Sequence, residues 1–164
     1  MDSLLQKSGS ELARLIREGE CSALEVVECH IERIERVNPR LNAVVRERFD
    51  AARQEAVDAD RLGEMAPAAD LPPFHGVPCT IKESCALRGM PNSSGLVSRA
   101  GIAAEEDAPP VARLRAAGAI PLGVTNTSEV TAWPGADNRV YGRTSNAYHP
   151  EHQCGGSSGG EGAL

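Results

Sequence analysis

The segment Gly155–Leu164 has the order Gly-Gly-Ser-Ser-Gly-Gly-Glu-Gly-Ala-Leu, which sets two adjacent serines between pairs of glycines. Glycine has no side chain to pack and loses much backbone entropy on folding, so a run of this kind does not form regular core structure. Such runs mark a close approach of the backbone or unusual dihedral angles. We therefore expect a functional site here, followed by a helix that begins near Glu161.

One interpretation of this segment is acyl-transfer chemistry, in which serine hydroxyls act together with a basic side chain. The candidate base is Lys82, which follows the apolar run Val77–Ile81. A lysine is a base only where its surroundings favour the neutral amine. The plainer interpretation is a lysine at a strand end that reaches water and pairs with Glu83. The residues around Lys82 leave both interpretations open.

Three other interpretations fit the glycine segment less well. A flexible linker seldom has Cys154 before its glycines and a helix-starting Glu-Gly-Ala-Leu after them. Gly155-x-Ser157-x-Gly159 matches the nucleophile elbow of α/β-hydrolases, but the residues before it are polar and include a proline, whereas the elbow needs a strand there. A phosphate-binding loop would need a cation where Glu161 stands.

The histidines do not suggest a metal site. His149, His152 and Cys154 have H-x-x-H-x-C spacing, which lacks a fourth ligand at a recognised interval. We interpret His30 and His75 as ordinary surface or helix-end histidines outside the functional site. No motif in the chain calls for a metal ion or an organic cofactor.

Composition narrows the classes of protein that the chain can represent. The net charge is −6 and the basic residues are scattered, which argues against a nucleic-acid partner. The five cysteines are an odd number without a C-x-x-C pair, so we expect a reducing compartment and a cytoplasmic location. No segment reaches the roughly 18 apolar residues that a transmembrane helix needs.

The first part of the chain has the pattern of amphipathic helices. Ser8–Glu11 and Ser22–Glu25 each have the Ser-x-x-Glu spacing of a capping box. The apolar spacing after these boxes predicts one helix that ends at Gly19 and a second that ends before Pro39. These two helices open a segment that we expect to be helical over residues 1–63.

Helices and strands then alternate along the chain. A helical stretch over Arg48–Leu62 is predicted to stop at Gly63. A strand is expected over residues 77–82, a helix from Pro109 through Ala116, and a second strand over Ile120–Val124. This alternation predicts an α/β layer whose strands are at least partly parallel.

Two of these segments, Gly76–Glu83 and Gly155–Ala163, together resemble the amidase signature family of serine hydrolases. Gly89–Gly95, Ala117–Asn126 and Tyr141–Asn146 lie between them in the family's order, so the resemblance covers nearly the whole chain. The Lys-Glu pair after the strand, Met-Pro-Asn-Ser and Gly-Glu-Gly look closest to the fatty-acid amide hydrolase branch.

The resemblance implies a fold and a domain organisation. The fold would be α/β, with a mixed and mostly parallel sheet flanked by helices. Residues 1–164 would form the N-terminal portion of a single amidase domain, incomplete at its C-terminus, with the catalytic core starting over residues 74–164. If strands of the missing portion normally cover the sheet, its exposed edges would favour a homodimer.

The resemblance also implies residue roles, with no cofactor. Lys82 would be the base, and Ser157 would be a bridging serine, held by a cis peptide, that relays a proton from the nucleophilic serine. Neighbouring residues would support the relay; they are Ser158, Gly155, Gly156 and Gly159. The nucleophile and the oxyanion-hole amides would belong to a second Gly-Gly-Ser element beyond this chain, so we expect residues 1–164 alone to be inactive.

The implied activity is hydrolysis of a small-molecule carboxamide to an acid and an amine or ammonia. A second expectation within the family is the amide-hydrolysing component of a tRNA-dependent amidotransferase. The Lys-Glu pair, in place of Lys-Asp, counts against that component. The remaining expectation is a noncatalytic binding module derived from an amidase.

Overall fold

The computed structural model describes residues 3–164, which form an α/β structure, as the sequence predicted. The helices are α1 (Gly9–Arg17), α2 (Ala23–Leu41), α3 (Phe49–Met65), α4 (Pro109–Ala116) and α5 (Gly159–Ala163). The strands are β1 (Val44–Glu47), β2 (Pro78–Lys82), β3 (Ile120–Thr125), β4 (Asp137–Asn138) and β5 (Gly142–Arg143). Both predicted strands and the helix from Pro109 are confirmed. Within residues 3–164, no helix has both the length and the apolar composition needed to cross a bilayer.

A three-stranded sheet in the order β1–β3–β2 contains both predicted strands. β1 runs antiparallel to β3, with Val44 opposite Thr125. The Ile120 amide donates to the Val77 carbonyl, and five to six residues further on the Glu83 amide donates to the Thr125 carbonyl. These bonds advance along both strands in the same direction, so β2 and β3 are parallel and the sheet is mixed. Every residue of the central strand β3 is buried.

The described residues group into two compact units, each built from separate stretches of the chain. The first unit contains the chain up to Arg33 together with Arg48–Cys79 and Ala112–Leu122. The second unit contains Ile34–Glu47, Thr80–Val111 and Gly123–Leu164. The division expected from the sequence, into residues 1–63 and 74–164, stays a prediction.

In the first unit, the predicted capping boxes are present. The Ser8 hydroxyl accepts from the Glu11 amide at 3.3 Å, and the Glu11 carboxylate accepts from the Ser8 amide at 2.8 Å. Ser22 and Glu25 exchange the same pair of bonds at 3.0 and 2.8 Å. Each box satisfies backbone donors that a helix start would otherwise leave without partners.

A side chain distant in sequence also caps α2. The two oxygens of the Asp60 carboxylate, on α3, accept from the amides of Ala23 and Leu24 at 2.6 and 3.1 Å. A carboxylate at this position interacts favourably with the positive end of the helix dipole. Asp60 therefore ties α3 to the start of α2.

The prediction that α2 ends before Pro39 is wrong, because the helix continues through Leu41. Proline costs a helix only its own N–H bond and a local clash, and beyond it the Asn42 amide still donates to the Asn38 carbonyl at 2.7 Å. The Asn38 side chain accepts from the Ala43 amide at 2.8 Å and so holds the turn into β1. Asn42, with a φ of 52°, ends the helix in the left-handed conformation.

The prediction that α3 stops at Gly63 is also wrong, since the helix runs to Met65. A glycine inside a helix costs only about 1 kcal/mol relative to alanine, so the helix can continue. A Cβ at Gly63 would lie 3.6 Å from Nε2 of His75. His75 is 2% exposed, which corrects its interpretation as a surface or helix-end histidine.

Burial lowers the pKa of His75, against the opposing effects of a hydrogen bond with the Ala59 backbone and of the Asp60 charge. The buried Nε2 atom has no hydrogen-bond partner among the described residues. The folded chain therefore favours neutral imidazole, whereas the unfolded chain takes up a proton near pH 6.5. The stabilisation by neutral His75 is complete above about pH 6.5 and is lost as the pH falls toward the folded pKa.

We therefore expect the free energy of unfolding to depend more strongly on pH in the wild-type chain than in His75→Gln, which cannot titrate at this position. The measurement is urea unfolding of both proteins at about pH 7.5 and about pH 5.5. The difference between the two pH values should be larger for the wild type. Equal differences in the two proteins would contradict the buried neutral histidine.

Candidate active site

The second unit brings Lys82 and Ser157 together. Lys82 is the last residue of β2, and Ser157 lies in the loop just before α5. The Lys82 Nζ atom donates a hydrogen bond to Ser157 Oγ at 2.6 Å, and the pair is partly buried. The peptide bond Gly156–Ser157 is cis. An amine and a hydroxyl at this distance can exchange a proton directly.

The two serines of the glycine segment occupy different environments. The Ser157 carbonyl accepts from the Ser128 amide at 3.2 Å, which fixes the loop to the chain after β3. Ser158 is exposed at the start of α5 and caps no backbone amide with its side chain. Its carbonyl accepts from the Gly162 amide at 3.1 Å. Of the two hydroxyls, only that of Ser157 contacts Lys82.

Two of the predicted supporting glycines lie in tight contacts. A Cβ on Gly156 would overlap the carbonyl oxygen of Gly135, and a Cβ on Gly159 would overlap the Ala136 side chain. Gly155 differs, since a Cβ there would contact nothing within 4 Å, and this position needs glycine for its φ of +85°. The loop around Ser157 therefore depends on glycine for both space and backbone conformation.

The pairing of Lys82 with Glu83, the plainer interpretation of this lysine, is wrong. Successive residues at a strand end point to opposite faces, so the Glu83 side chain turns away from Lys82. Glu83 is fully buried and accepts from the Ser93 amide and hydroxyl, the Ser94 amide and the Tyr141 hydroxyl at 2.6, 2.7, 2.8 and 2.8 Å. Four donors thus satisfy a buried carboxylate that forms no ion pair within residues 3–164.

Burial raises the pKa of Tyr141 to about 12, and the neighbouring Glu83 carboxylate adds to the rise while a hydrogen bond from Ser93 opposes it. At neutral pH the phenol therefore stays protonated and donates a hydrogen bond to the Glu83 carboxylate. Tyr141 and Ser93 hold the carboxylate in place, and neither residue was singled out from the sequence.

Glu161 also makes contacts that the sequence did not reveal. Its Oε2 atom accepts from Thr80 Oγ1, and its Oε1 atom accepts from Thr125 Oγ1, both at 2.7 Å. Thr80 lies on β2 and Thr125 ends β3. The signal in the sequence was the acidic residue inside a glycine run, but its partners lie 81 and 36 residues away.

The histidine-rich loop before the glycine segment forms no ligand cluster. The rings of His149 and His152 stack with their centroids 4.1 Å apart. The Cys154 thiol donates to the Thr144 carbonyl at 3.4 Å. Over residues 3–164, no three His, Cys, Asp or Glu side chains are arranged to hold a metal ion.

Comparison with known proteins gives matches to a family of amidases and to individual members of it. Residues 25–164 match the family described as Amidase. Fatty-acid amide hydrolase 2-B of Danio rerio is 53% identical over an alignment of 166 positions, gaps included. This alignment covers 98% of this chain and 32% of that protein. A glutamyl-tRNA(Gln) amidotransferase component of Synechococcus sp. (strain WH7803) is 36% identical, over 94% of this chain and 31% of that protein.

A solved structure described as fatty acid amide hydrolase superposes with a TM-score of 0.92 at 25% identity, over 98% of this chain and 28% of that one. The chain thus spans about a third of the length of the curated relatives it matches. The family match extends over most of the chain and includes both segments that carry the resemblance. On this basis the chain belongs to the amidase signature family.

Proposed function

We propose that residues 1–164 are part of an enzyme that hydrolyses a carboxamide, cutting its C–N bond to give a carboxylic acid and an amine or ammonia. The observation that carries the proposal is the 2.6 Å contact between Lys82 Nζ and Ser157 Oγ. Membership of the amidase family supports the same class of reaction. The proposed chemistry needs only side chains and water.

In the proposed mechanism, a nucleophilic serine from a second Gly-Gly-Ser element of the enzyme attacks the amide carbon. Its hydroxyl proton passes to Ser157 Oγ while the Ser157 proton passes to the neutral amine of Lys82. The C–N bond breaks when the leaving nitrogen takes a proton back through Ser157. Water then cleaves the acyl ester: its proton passes through Ser157 to Lys82 and returns by the same route to the oxygen of the nucleophilic serine as that serine leaves.

The residues around the relay have supporting roles in this proposal. Gly156 and Gly159 let the loop pack closely enough for Ser157 to reach Lys82, and Gly155 provides the backbone turn before them. Ser158 contributes an exposed hydroxyl beside the relay. None of these residues is assigned a proton-transfer step.

The roles of Lys82 and Ser157 can be tested in a chimera in which residues 1–164 replace the matching third of the Danio rerio relative. With a primary fatty-acid amide as substrate, we expect the chimera to release ammonia. Lys82→Ala and Ser157→Ala should each lower kcat/KM by about 10²- to 10⁴-fold, because each removes a step of the proton relay.

Lys7 is the only other lysine in the chain and provides a matched control, since it is exposed and its amine lies 3.8 Å from Glu11 at the start of the chain. Lys7→Ala should leave kcat/KM unchanged. Wild-type activity in the Lys82→Ala chimera would refute the proposed function. A chimera that folds but has no turnover would instead favour a noncatalytic module derived from an amidase.

The 164-residue chain by itself is expected to be inactive. The proposed nucleophile lies outside it, and without a nucleophile no acyl-enzyme can form. The measurement is ammonia or amine release from a panel of carboxamides by the purified chain. Turnover that disappears in Lys82→Ala would contradict this expectation and would place the nucleophile within residues 1–164.

The alternative within the family is the amide-hydrolysing component of a tRNA-dependent amidotransferase, which supplies ammonia to a partner enzyme. The similarity to the Synechococcus amidotransferase component favours it, and the Lys82-Glu83 pair in place of Lys-Asp counts against it. Hydrolysis of fatty-acid amides without any partner protein would favour the stand-alone amidase. Glutamine-dependent ammonia release that requires a partner would favour the amidotransferase.

We also propose a cytoplasmic homodimer that binds no nucleic acid. The five cysteines carry thiols, which suits a reducing compartment, and the net charge of −6 is unsuited to binding phosphate backbones. β2 lies at one edge of the sheet, where a strand of a second copy could pair. Light scattering should give twice the chain mass, and a monomer mass at every concentration would contradict the dimer.

A further inference from the structure

We propose that Glu161 is a positioning residue that sets the distance between Lys82 and Ser157. This inference rests on the proposed function, since it concerns the geometry of the same proton relay. It starts from the carboxylate of Glu161, which accepts hydrogen bonds from two threonines on two neighbouring strands.

The first of these bonds connects the strand that carries the base to the segment that carries the relay serine. Thr80 and Lys82 are two residues apart on β2, so their side chains leave the strand on the same face. Glu161 lies four residues after Ser157, on the first turn of α5. The 2.7 Å bond from Thr80 Oγ1 to Glu161 therefore runs beside the contact between Lys82 and Ser157.

The second bond fixes the same carboxylate to the central strand. Thr125 Oγ1 donates to the other oxygen of Glu161 at 2.7 Å. The Gly160 amide donates to the Asn126 carbonyl at 3.1 Å, so the start of α5 is held to the end of β3 by its backbone as well. With both threonines bound, α5 is restrained against β2 and β3 together.

The chemistry of the contact favours a carboxylate. A carboxylate accepts from two hydroxyls at once through separate oxygens, and bonds to a charged acceptor are shorter and stronger than neutral ones. Among the ion pairs of residues 3–164, none includes Glu161, so its contacts are with hydroxyl donors rather than with a cation. A glutamine has one acceptor oxygen and no charge, so one threonine hydroxyl would have to turn and accept from the amide nitrogen, and both bonds would become neutral ones.

Removal of one bond should let Lys82 and Ser157 move apart. In the chimera described above, we expect Glu161→Gln and Thr80→Val to lower kcat by about 10- to 100-fold with little change in KM, because misplacement of reacting groups slows the chemical step. Thr80→Val keeps the size of the side chain and removes the hydroxyl. Thr80→Ser restores the hydroxyl and should recover most of the lost kcat.

The double variant Glu161→Gln with Thr80→Val tests whether the two residues act through one bond. We expect it to be no slower than the slower single variant, since residues that share an interaction are not additive. Glu151→Gln, at an exposed loop position, is the matched control and should leave kcat unchanged. A general loss of stability would lower the apparent kcat by reducing the folded fraction, so kcat is expressed per folded molecule, with the folded fraction measured by circular dichroism.

Hydrogen exchange on the 164-residue chain gives a readout that is independent of activity. The Ser128 amide donates to the Ser157 carbonyl, so its protection reports how firmly the loop is held. Protection of Ser128 should fall in Glu161→Gln and Thr80→Val and return in Thr80→Ser. Unchanged protection in all three variants would overturn the positioning role.

The failure of this inference can be told apart from failure of the proposed function. If Lys82→Ala is inactive while Glu161→Gln and Thr80→Val keep full kcat, the proton relay stands and the positioning role is refuted. If Lys82→Ala keeps full activity, the proposed function is refuted and the positioning role with it. If Lys82→Ala is inactive and the Glu161 and Thr80 variants lose kcat as described, both are supported.

Discussion

The site depends on how closely the glycine-rich loop approaches the rest of the second unit. A Cβ on Gly156 would overlap the carbonyl of Gly135, and one on Gly159 would overlap Ala136. Gly160 is equally confined by the backbone at the end of β3. Only glycine fits at these three positions, and this close packing carries Ser157 to within hydrogen-bond distance of Lys82.

The alternation of side chains along β2 separates two hydrogen-bond networks. Thr80 and Lys82 leave one face and meet the glycine loop and α5, whereas Glu83 leaves the other face. There its buried carboxylate accepts hydrogen bonds from the Ser93 amide, the Ser93 hydroxyl and the Tyr141 phenol. A buried charge is costly unless donors surround it, so this second network holds the loop after β2 in one arrangement.

Local patterns predicted the elements better than their ends. The capping box at Ser8 was correct because its partners are three residues apart and need no tertiary context. The stops at Pro39 and Gly63 were wrong because contacts of neighbouring and distant residues outweighed the preference of the proline and the glycine themselves. Asn38 holds the chain beyond Pro39, and the helix around Gly63 packs against His75. A rule that considers only the proline or the glycine does not include these contacts.

The sequence by itself determined the family and singled out the two residues of the proposed relay, because a lysine after an apolar run and a serine pair among glycines follow in a recognisable order. The tertiary structure alone decided that Lys82 meets Ser157 rather than Glu83, and that Glu161 joins Thr80 to Thr125. The physical reason is separation along the chain, since hydrogen bonds across 36 to 81 residues are set by packing and leave no periodic trace in the sequence.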